Sequence, residues 1–428
     1  MKAKIQNFFS FVKNSPSPFH VVKNISEILL QNGFLELSEG EKWNLSEGKS
    51  YFLARNSSSI IAFRIPKENA SSPHKFLITA SHSDSPVFKI KENPEIHSNG
   101  CVVLNVEKYG GMLIQPWFDR PLSVAGRIVV RDEQNLPSLK EILVHIDRDL
   151  LLIPNLAIHM NRDANEGKKI DIQTEIRPVF SLEKEEKLLN LVAKSAGVAE
   201  NAIIAHDLFL YNRTEPALWG AKNEFISAPK IDDLECVYTT LQGFLKNDSE
   251  SSIPVYCVFD NEEVGSSSRQ GADSTFLNDT LERISEKLQW SKEDYKIALS
   301  KSFMISADNA HAFHPNYASA ADPVNRPKVN GGIVLKFNAA QKYTTDALSA
   351  AYFKEICRKA GVPLQIYTNN SNIAGGSTLG NISQNHVSIQ CVDIGLAQWA
   401  MHSPYETAGA QDIEFMEKAI TEFYQYHF

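Results

Sequence analysis

Five clusters of histidine and acidic residues in this chain have the types and the placement of metal ligands. Each cluster belongs to a short polar motif, and most of them follow a predicted strand. The clusters are His82 and Asp84 in "SHSDSP", Asp232 and Asp233 in "APKIDD", Glu262 and Glu263 in "DNEEVG", Asp308 in "SADNAH" and His402 in "MHSPYE". One such residue after a strand is most often a turn former or a helix cap. Five clusters together indicate a site.

The chemistry of these side chains narrows the choice of metal. Imidazole and carboxylate ligands suit zinc, manganese or cobalt, whereas nitrogen ligands select against magnesium and calcium. The clusters contain no cysteine, which disfavours a structural zinc site. Two cations that share one bridging carboxylate would use five ligands, namely two histidines, two aspartates and one glutamate. The residue types therefore predict a site for two divalent cations, with Zn²⁺ expected and Mn²⁺ or Co²⁺ as alternatives.

Short β-rich runs must position these residues. They cover residues 75–86, 253–263, 301–315 and 387–395, and each ends abruptly in a polar cluster. Helical patterns lie between them, as in "IDDLECVYTTLQGFLK" (231–246), where apolar residues recur every three or four positions. Strands that alternate with helices predict an α/β fold with a mixed, partly parallel sheet flanked by helices. Ligands gather at the carboxyl edge of such a sheet, so residues far apart in sequence can meet there.

The middle of the chain has a different pattern. From about residue 93 to 222 it contains valine-rich strands such as "GRIVVRD" (126–132) and one helix-like stretch, 181–197. We interpret 93–222 as a β-rich insertion and 1–92 with 223–428 as the catalytic domain.

Composition excludes several classes of protein. The 43 Lys and Arg against 51 Asp and Glu among 428 residues give a net charge of −8, which argues against a nucleic-acid surface. The five cysteines are far apart and are interpreted as reduced core thiols. No stretch approaches the roughly 18 apolar residues of a membrane span. We therefore expect no nucleic-acid or membrane partner, and a cytoplasmic protein.

The motifs taken in order resemble the M18 metallopeptidases, the aspartyl aminopeptidase family. The resemblance covers nearly the whole chain, and "DNEEVGS", "ADNAHAFHPNY" and "AMHSPYE" in this order are highly specific together. The matching stretches are "SPFH" (17–20), "HSDSP" (82–86), "YGGMLIQPWFDRPLSVAGR" (109–127), "NLAIH" (155–159), "FISAPKIDD" (225–233), "FDNEEVGSSSRQGA" (259–272), "SADNAHAFHPNY" (306–317), "GGSTLG" (375–380) and "MHSPYETAG" (401–409).

This resemblance implies a dinuclear zinc-peptidase fold and assigns the ligands. Asp232 would bridge the two cations, because the bridging aspartate of the family follows a basic and an aliphatic residue, here Lys230 and Ile231. The neighbouring Asp233 is the other candidate for that role. His82 and Asp308 would complete one site, and Glu263 and His402 the other. Asp84 would orient His82 and make it a better donor.

The same resemblance implies how catalysis works. Two cations lower the pKa of a shared water to about 7 and polarise the scissile carbonyl. Glu262 would be the general base, a contribution of about 10²–10⁴-fold. If the segment is extended, neighbouring side chains point to opposite sides. Glu263 could then face the cations while Glu262 faces the water.

Substrate preference follows from the resemblance as well. The family removes N-terminal aspartate or glutamate, and Lys336 in "GGIVLKFN" matches the lysine that meets the substrate carboxylate. We also expect His311, in "NAHAFHPNY", to lie in the substrate pocket. Asn372 stands where related eukaryotic proteins often carry aspartate, so a broader specificity that includes neutral residues is the alternative.

The insertion would have a role in assembly. In the family it is a dimerisation domain, and the histidine that matches His159 reaches the active site of a neighbouring subunit. The resemblance therefore implies a homo-oligomer built from dimers, in the form of a tetrahedral dodecamer.

Two other functions fit a set of histidines and carboxylates. A dinuclear phosphoesterase would bring arginines or a glycine-rich loop to hold phosphate. "GGSTLG" (375–380) could be such a loop, but the other clusters lack the arginines. An inactive scaffold would keep the ligands for stability alone. A glutamate beside the ligands, Glu262, argues against a scaffold.

Overall fold

A computed structural model describes residues 2–132, 139–167, 169–247 and 250–427 of the chain. The helices of this part are α1 Lys2–Lys13, α2 Pro18–Gln31, α3 Ile172–Glu175, α4 Leu188–Ala196, α5 Ile231–Leu245, α6 Phe276–Lys287, α7 Lys292–Ser300, α8 Ala347–Ala360, α9 Leu379–Ser383 and α10 Asp412–Gln425. None of these described helices combines the length and the apolar character that a membrane crossing requires. The cytoplasmic location stays a prediction.

The strands form three sheets. They are β1 Leu35–Glu36, β2 Ser50–Arg55, β3 Ser59–Arg64, β4 Lys75–His82, β5 Val87–Ser98, β6 Cys101–Tyr109, β7 Leu122–Arg131, β8 Leu139–His145, β9 Val179–Ser181, β10 Ile203–Asn212, β11 Ala217–Trp219, β12 Phe225–Ala228, β13 Ser252–Phe259, β14 Phe303–Ala307, β15 Ala310–His311, β16 Ile333–Phe337, β17 Leu364–Thr368, β18 Gln390–Gly395, β19 Ala397–Trp399 and β20 Glu406–Gly409.

The largest sheet has nine strands in the order β1-β2-β3-β13-β4-β14-β18-β16-β17. Its four central strands, β13, β4, β14 and β18, run parallel to one another. The flanking β3 and β16 pair antiparallel with this central group. The mixed, partly parallel sheet predicted from the sequence is confirmed.

Both faces of this sheet are buried, which is why its central strands read as nearly continuous apolar runs. Successive residues of a strand point to opposite faces. Leu77 of β4 therefore packs in the core on one face, with α1, α2, α5, α8 and α10. Its neighbours Phe76 and Ile78 pack in the core on the other face, with α6, α7 and α9. Truncating a side chain such as Phe76 to alanine would cost about 3–5 kcal/mol.

The second sheet has six strands in the order β8-β7-β10-β5-β6-β9, all antiparallel. Its strands lie between Val87 and Asn212, and it has a hydrophobic core of its own around Trp117, Leu188 and Val192. The helix expected within 181–197 covers only Leu188–Ala196. The division at residues 93 and 222, and the role of this unit in dimerisation, stay predictions.

The third sheet, β11-β12-β20-β19-β15, is made of short strands. Strand β18 of the nine-stranded sheet leads directly into β19 of this sheet, and β12 leads into α5. The third sheet therefore extends the carboxyl edge of the nine-stranded sheet.

Candidate metal centre

Three adjacent parallel strands bring ligand-type residues to one edge of the large sheet. Strand β4 ends at His82, which pairs with Phe259 at the end of β13. Glu262 and Glu263 follow β13 in a 3₁₀ turn, and Asp308 directly follows β14. The predicted convergence of these residues is therefore what the fold produces.

The 3₁₀ turn corrects one expectation. Glu262 and Glu263 do not lie in an extended segment, because the turn 262–264 starts after Asn261, which has a left-handed backbone (φ 65°). A 3₁₀ helix has three residues per turn, so consecutive side chains point about 120° apart. The two glutamates thus point in different directions from the backbone, although one oxygen of each lies in a group with His82.

The remaining two ligand candidates come from outside the large sheet. His402 lies in the turn between β19 and β20 and has a left-handed backbone (φ 67°). Asp232 lies at the start of α5, where Asp232 and Asp233 have non-helical dihedral angles. Both connections belong to the third sheet, so two sheets are needed to assemble the cluster.

The carboxylate of Asp232 faces two histidines, one with each oxygen. Its Oδ1 lies 3.4 Å from His82 Nε2, and its Oδ2 lies 3.3 Å from His402 Nε2. His402 Nε2 also lies 3.3 Å from Glu263 Oε1. With metal–ligand bonds of about 2.0–2.1 Å, two ligands of a tetrahedral zinc are about 3.3–3.4 Å apart. These atoms have the spacing of ligands that share a cation.

Three groups of ligand atoms lie within 4.8 Å of one another among the described residues. They are His82, Asp232, Asp233 and Asp308; His82, Glu262 and Glu263; and Asp232, Glu263 and His402. Asp233 joins the first group, and its Oδ2 also accepts a hydrogen bond from the backbone N–H of His82 at 3.1 Å. Its position next to Asp232 in "KIDD" is the only signal in the sequence.

The residues fit a bound cation. Oxygens of three site carboxylates, Asp232 Oδ1, Asp233 Oδ1 and Glu263 Oε1, are buried without a hydrogen-bond partner. Burial raises the pKa of Glu262 to about 8 and raises that of Glu263 well above its ordinary value. Buried carboxylates that accept no hydrogen bond are costly unless positive charge compensates them. A divalent cation supplies that charge.

Asp84 contacts His82, as expected, and also the two glutamates. Its carboxylate accepts the backbone N–H groups of Glu262 and Glu263, each at 3.1 Å. The Nδ1–H of His82 bonds to the backbone carbonyl of Asp84 at 3.0 Å, while the Asp84 carboxylate is 3.5 Å away. This bond leaves His82 Nε2 available to a metal. The carboxylate itself mainly holds the two glutamates.

Glu406 is a site residue that sequence reasoning missed. It is buried, and its carboxylate accepts the backbone N–H of Asp232 at 2.9 Å and that of His402 at 2.7 Å. Two ligand candidates from separate segments are thereby tied to one side chain. Glu406 ends the motif "MHSPYE", which was the available signal.

A cavity of about 430 Å³ is lined in part by Met401, which precedes His402, and by Gln398, whose amide donates to Glu406 at 3.4 Å. Its lining combines aromatic, basic and amide side chains with backbone of the loop 369–376. The charged or polar lining includes His311, His314, Arg326, Asn325, Asn369 and Gln398, and the aromatic lining includes Phe313, Tyr317, Tyr367 and Trp399. No aspartate or glutamate is among the described residues that line it. The predicted pocket residue His311 is thus in the cavity wall.

The other predicted substrate residues lie elsewhere. Lys336 is buried, with its Nζ 3.0 Å from the carbonyl of Asn309 and 3.5 Å from Asp308 Oδ2, and it is not part of the cavity lining. His159 lies in an exposed turn of the loop that follows β8. Asn372 is exposed next to the lining residue Ile373. The single chain therefore does not bring Lys336 or His159 to the cavity wall.

Known proteins similar to this chain agree with one another. The sequence profile of the family described as Aminopeptidase I zinc metalloprotease (M18) matches residues 11–424. A probable M18 family aminopeptidase 2 of Clostridium acetobutylicum is 46% identical over 426 residues, which is 98% of each chain. The protein of the same description from Clostridium novyi is 44% identical over 434 residues, 99% of this chain and 100% of the relative.

Solved structures give the same result. The chain is similar to Ape4 in a cryo-EM structure of the Ape4 and Nbr1 complex, with a TM-score of 0.95 and 36% identity over 98% of this chain and 85% of that one. It is also similar to the S. cerevisiae mApe1 dodecamer, with a TM-score of 0.86 and 25% identity over 98% of this chain and 96% of that one. These matches favour peptide hydrolysis over a phosphoesterase or an inactive scaffold. The chain belongs to the M18 family of zinc metalloproteases and is a metal-dependent aminopeptidase.

Proposed function

We propose that this aminopeptidase uses two divalent cations, most simply Zn²⁺, to remove acidic residues from the N-termini of peptides. The observation that carries the dinuclear part is the placement of Asp232, whose two oxygens face His82 and His402 separately. His82 and Asp308 would hold one cation, Glu263 and His402 the other, and Asp232 both. When bound, the cations would supply Lewis acidity toward the scissile carbonyl and an activated water.

The side chains of the protein would provide the proton transfers. The Glu262 carboxylate would accept a proton from the attacking water and pass it to the leaving amide nitrogen. The burial that raises the pKa of Glu262 to about 8 would otherwise keep it protonated, and two nearby cations would favour the ionised base. Asp84 would hold the backbone of Glu262 in place, as its hydrogen bond to that N–H indicates.

The acidic preference is supported by the charge of the cavity. Arg326 lies at its rim, stacks on Phe313 with its guanidinium 4.9 Å from the ring centroid, and donates its Nε to the carbonyl of Asp322 at 2.8 Å. The described lining residues include an arginine and no carboxylate. This lining favours the binding of a substrate carboxylate over the binding of a substrate ammonium group. A broader specificity is the alternative, since much of the wall is aromatic.

The proposal also includes assembly. A similar protein, yeast mApe1, is described as a dodecamer, which supports a homo-oligomer for this chain. We extend the proposal to a tetrahedral dodecamer built from dimers, in which the six-stranded sheet forms the dimer contact.

One experiment tests the metal number and the substrate class together. The purified protein is stripped of metal, reloaded with Zn²⁺, Mn²⁺ or Co²⁺ at zero to three equivalents, and assayed on aspartyl, glutamyl, leucyl and lysyl amides. We expect no activity without metal, full activity only near two equivalents, and faster cleavage of the aspartyl and glutamyl amides. Full activity at one equivalent, or a preference for leucyl or lysyl amides, would contradict the corresponding part of the proposal.

Two variants separate the candidates for recognition of the acidic side chain. If Lys336 meets the substrate carboxylate, Lys336→Ala loses kcat/KM on aspartyl amides at least about tenfold more than on leucyl amides, the size of one lost charge-assisted bond. If Arg326 has this role, Arg326→Ala shows the selective loss instead. Because Lys336 Nζ lies against Asp308, an equal loss on both substrates in Lys336→Ala would remove it from substrate recognition and indicate support of the metal ligand.

A further inference from the structure

The segment 109–113, "YGGML", connects the six-stranded sheet to the candidate metal centre. Strand β6 of that sheet ends at Tyr109, and the chain then passes over the edge of the large sheet where the ligands collect. The Tyr109 hydroxyl donates to Asp84 Oδ2 at 2.7 Å and accepts a hydrogen bond from Asn261 Nδ2 at 2.9 Å. One phenol is thus fixed between two residues of the large domain.

The contact to Asp84 reaches both glutamates. The two oxygens of Asp84 accept hydrogen bonds from the backbone N–H groups of Glu262 and Glu263. The same carboxylate therefore holds the 3₁₀ turn that contains both glutamates. The Asn261 side chain precedes this turn and accepts hydrogen bonds from Ser268 and Gln270. Tyr109 therefore lies at the junction of two networks that together set the position of the 3₁₀ turn.

The next residues of the segment touch the ligands themselves. Gly110 has a left-handed backbone (φ 77°), and a Cβ placed on it would lie 3.1 Å from the Cβ of Glu263. Only glycine allows this approach without strain. The backbone N–H of Leu113 donates to the carbonyl of His402 at 3.1 Å. The segment thus contacts two members of the group Asp232, Glu263 and His402.

Contacts outside the 109–113 segment hold His82 and Asp308 of the other half. The backbone N–H of Asp308 donates to the carbonyl of Ile394 at 3.1 Å, and Lys336 Nζ lies 3.5 Å from its carboxylate. The backbone N–H of His82 donates to Asp233 Oδ2 at 3.1 Å. Tyr109 is linked to this half through Asp84, whose backbone carbonyl accepts the Nδ1–H of His82, whereas the segment contacts Glu263 and His402 directly.

We propose that Tyr109 is a positioning residue for the Glu263 and His402 half of the metal centre, and that the 109–113 segment makes this half depend on the six-stranded sheet. The inference rests on the proposed function, because it takes Glu263 and His402 as ligands of one of two cations. Outer residues that orient ligands typically contribute about 10–100-fold to metal affinity. We expect removal of the Tyr109 hydroxyl to weaken the binding of one cation and to leave the binding of the other unchanged.

The test compares Tyr109→Phe with Tyr51→Phe as a matched control. Tyr51 is buried and its hydroxyl accepts one hydrogen bond, from the backbone of Ser46, within the core between the large sheet and α6 and α7. Zn²⁺ affinity is measured on the full chain by competition with a chromophoric chelator. Thermal unfolding and kcat and KM on an aspartyl amide are measured on the same samples.

We expect Tyr109→Phe to weaken the second zinc equivalent about 10–100-fold, with the first equivalent unchanged, and to lower kcat at limiting zinc while KM changes less than about twofold. Tyr51→Phe keeps the wild-type zinc affinities. Gly110→Ala, which presses on Glu263, shows the same selective loss as Tyr109→Phe. Wild-type affinity for both equivalents in Tyr109→Phe, or equal weakening of both, overturns the inference.

The zinc titration needs no turnover, so the two proposals fail separately. Wild-type protein that binds two zinc ions but cleaves no aminoacyl amide would reject the proposed function, and a selective zinc loss in Tyr109→Phe would still support the positioning role. A fully active, two-zinc enzyme whose Tyr109→Phe variant binds zinc normally would reject only the positioning role.

Discussion

At the scale of single residues, the environment separates two adjacent glutamates. The Glu263 side chain is 4% exposed and its Oε1 lies 3.3 Å from His402 Nε2, which is the position of a ligand. Both glutamates belong to the group around His82, but only Glu263 among them also belongs to the group with Asp232 and His402. Burial and the charges of nearby aspartates raise the pKa of Glu262 to about 8. Two chemically identical side chains thus have different surroundings in the structure.

This difference predicts opposite phenotypes for two conservative changes. Glu262→Gln is expected to retain both metal equivalents and to lose about 10²–10⁴-fold in kcat, because the amide cannot accept a proton. Glu263→Gln is expected to lose metal first, with activity returning in excess Zn²⁺. Metal content after gel filtration and kcat at saturating zinc distinguish them. Metal loss in Glu262→Gln with normal binding in Glu263→Gln would reverse the assignment.

At the scale of elements, the start of α2 depends on a buried neutral histidine. His20 Nδ1 and Ser17 Oγ form a hydrogen bond at 2.8 Å. The His20 ring also lies edge-on to the ring of His145, with 5.8 Å between the ring centroids. Burial, followed by the positive charges of His145, Lys230 and Lys23, lowers the pKa of His20 from 6.5 to about 3. The native environment of His20 therefore favours the uncharged imidazole.

The lowered pKa predicts acid sensitivity of folding. Below pH 6.5 the unfolded chain binds a proton at His20 that the native state binds only near pH 3, so this residue's contribution to stability falls as the pH falls through that window. At pH 5 the loss is about 2 kcal/mol, at 1.36 kcal/mol per pH unit. The free energies of unfolding of wild type and His20→Asn are measured in denaturant at pH 7 and pH 5. The difference between their pH dependences gives the contribution of His20. An identical pH dependence in both proteins would contradict it.

At the scale of the whole molecule, residues that the family associates with the active site do not all reach it within one chain. The loop around His159 is exposed and also exposes Leu156, Ile158 and Met160, which are 53%, 50% and 75% exposed. Apolar side chains exposed together typically mark an interface. This surface supports the proposal that His159 acts in the site of a second subunit.

A shared site predicts complementation between inactive variants. Co-expressed His159→Ala and Glu262→Gln subunits should recover about a quarter of the wild-type activity, since half of randomly paired dimers are mixed and one of two sites in each is complete. The matched control pairs Glu262→Gln with Asp308→Asn, whose changes lie in the same subunit's site and leave no complete site in a mixed dimer. Activity of the purified mixed assemblies decides between the outcomes. Equal activity in both mixtures would count against a shared site.

The sequence by itself determined the ligand types, their placement after strands and the family. These features depend on local sequence patterns. Buried parallel strands appear as apolar runs, and the polar motif after a strand contains the candidate ligand. Ladder pairing such as His82 with Phe259 then follows from the parallel sheet. The mixed α/β architecture was predictable for the same reason.

Only the tertiary structure decided which residues support the centre. Glu406 joins Asp232 to His402, Tyr109 holds Asp84, and Lys336 lies against Asp308 rather than in the cavity wall. The contact of Glu406 with Asp232 joins positions 174 residues apart, and the contact of Tyr109 with Asp84 crosses from the six-stranded sheet to the segment after β4 of the nine-stranded sheet. No period or motif encodes such a meeting, because it depends on how the sheets pack and on the direction that each backbone takes as it leaves a strand.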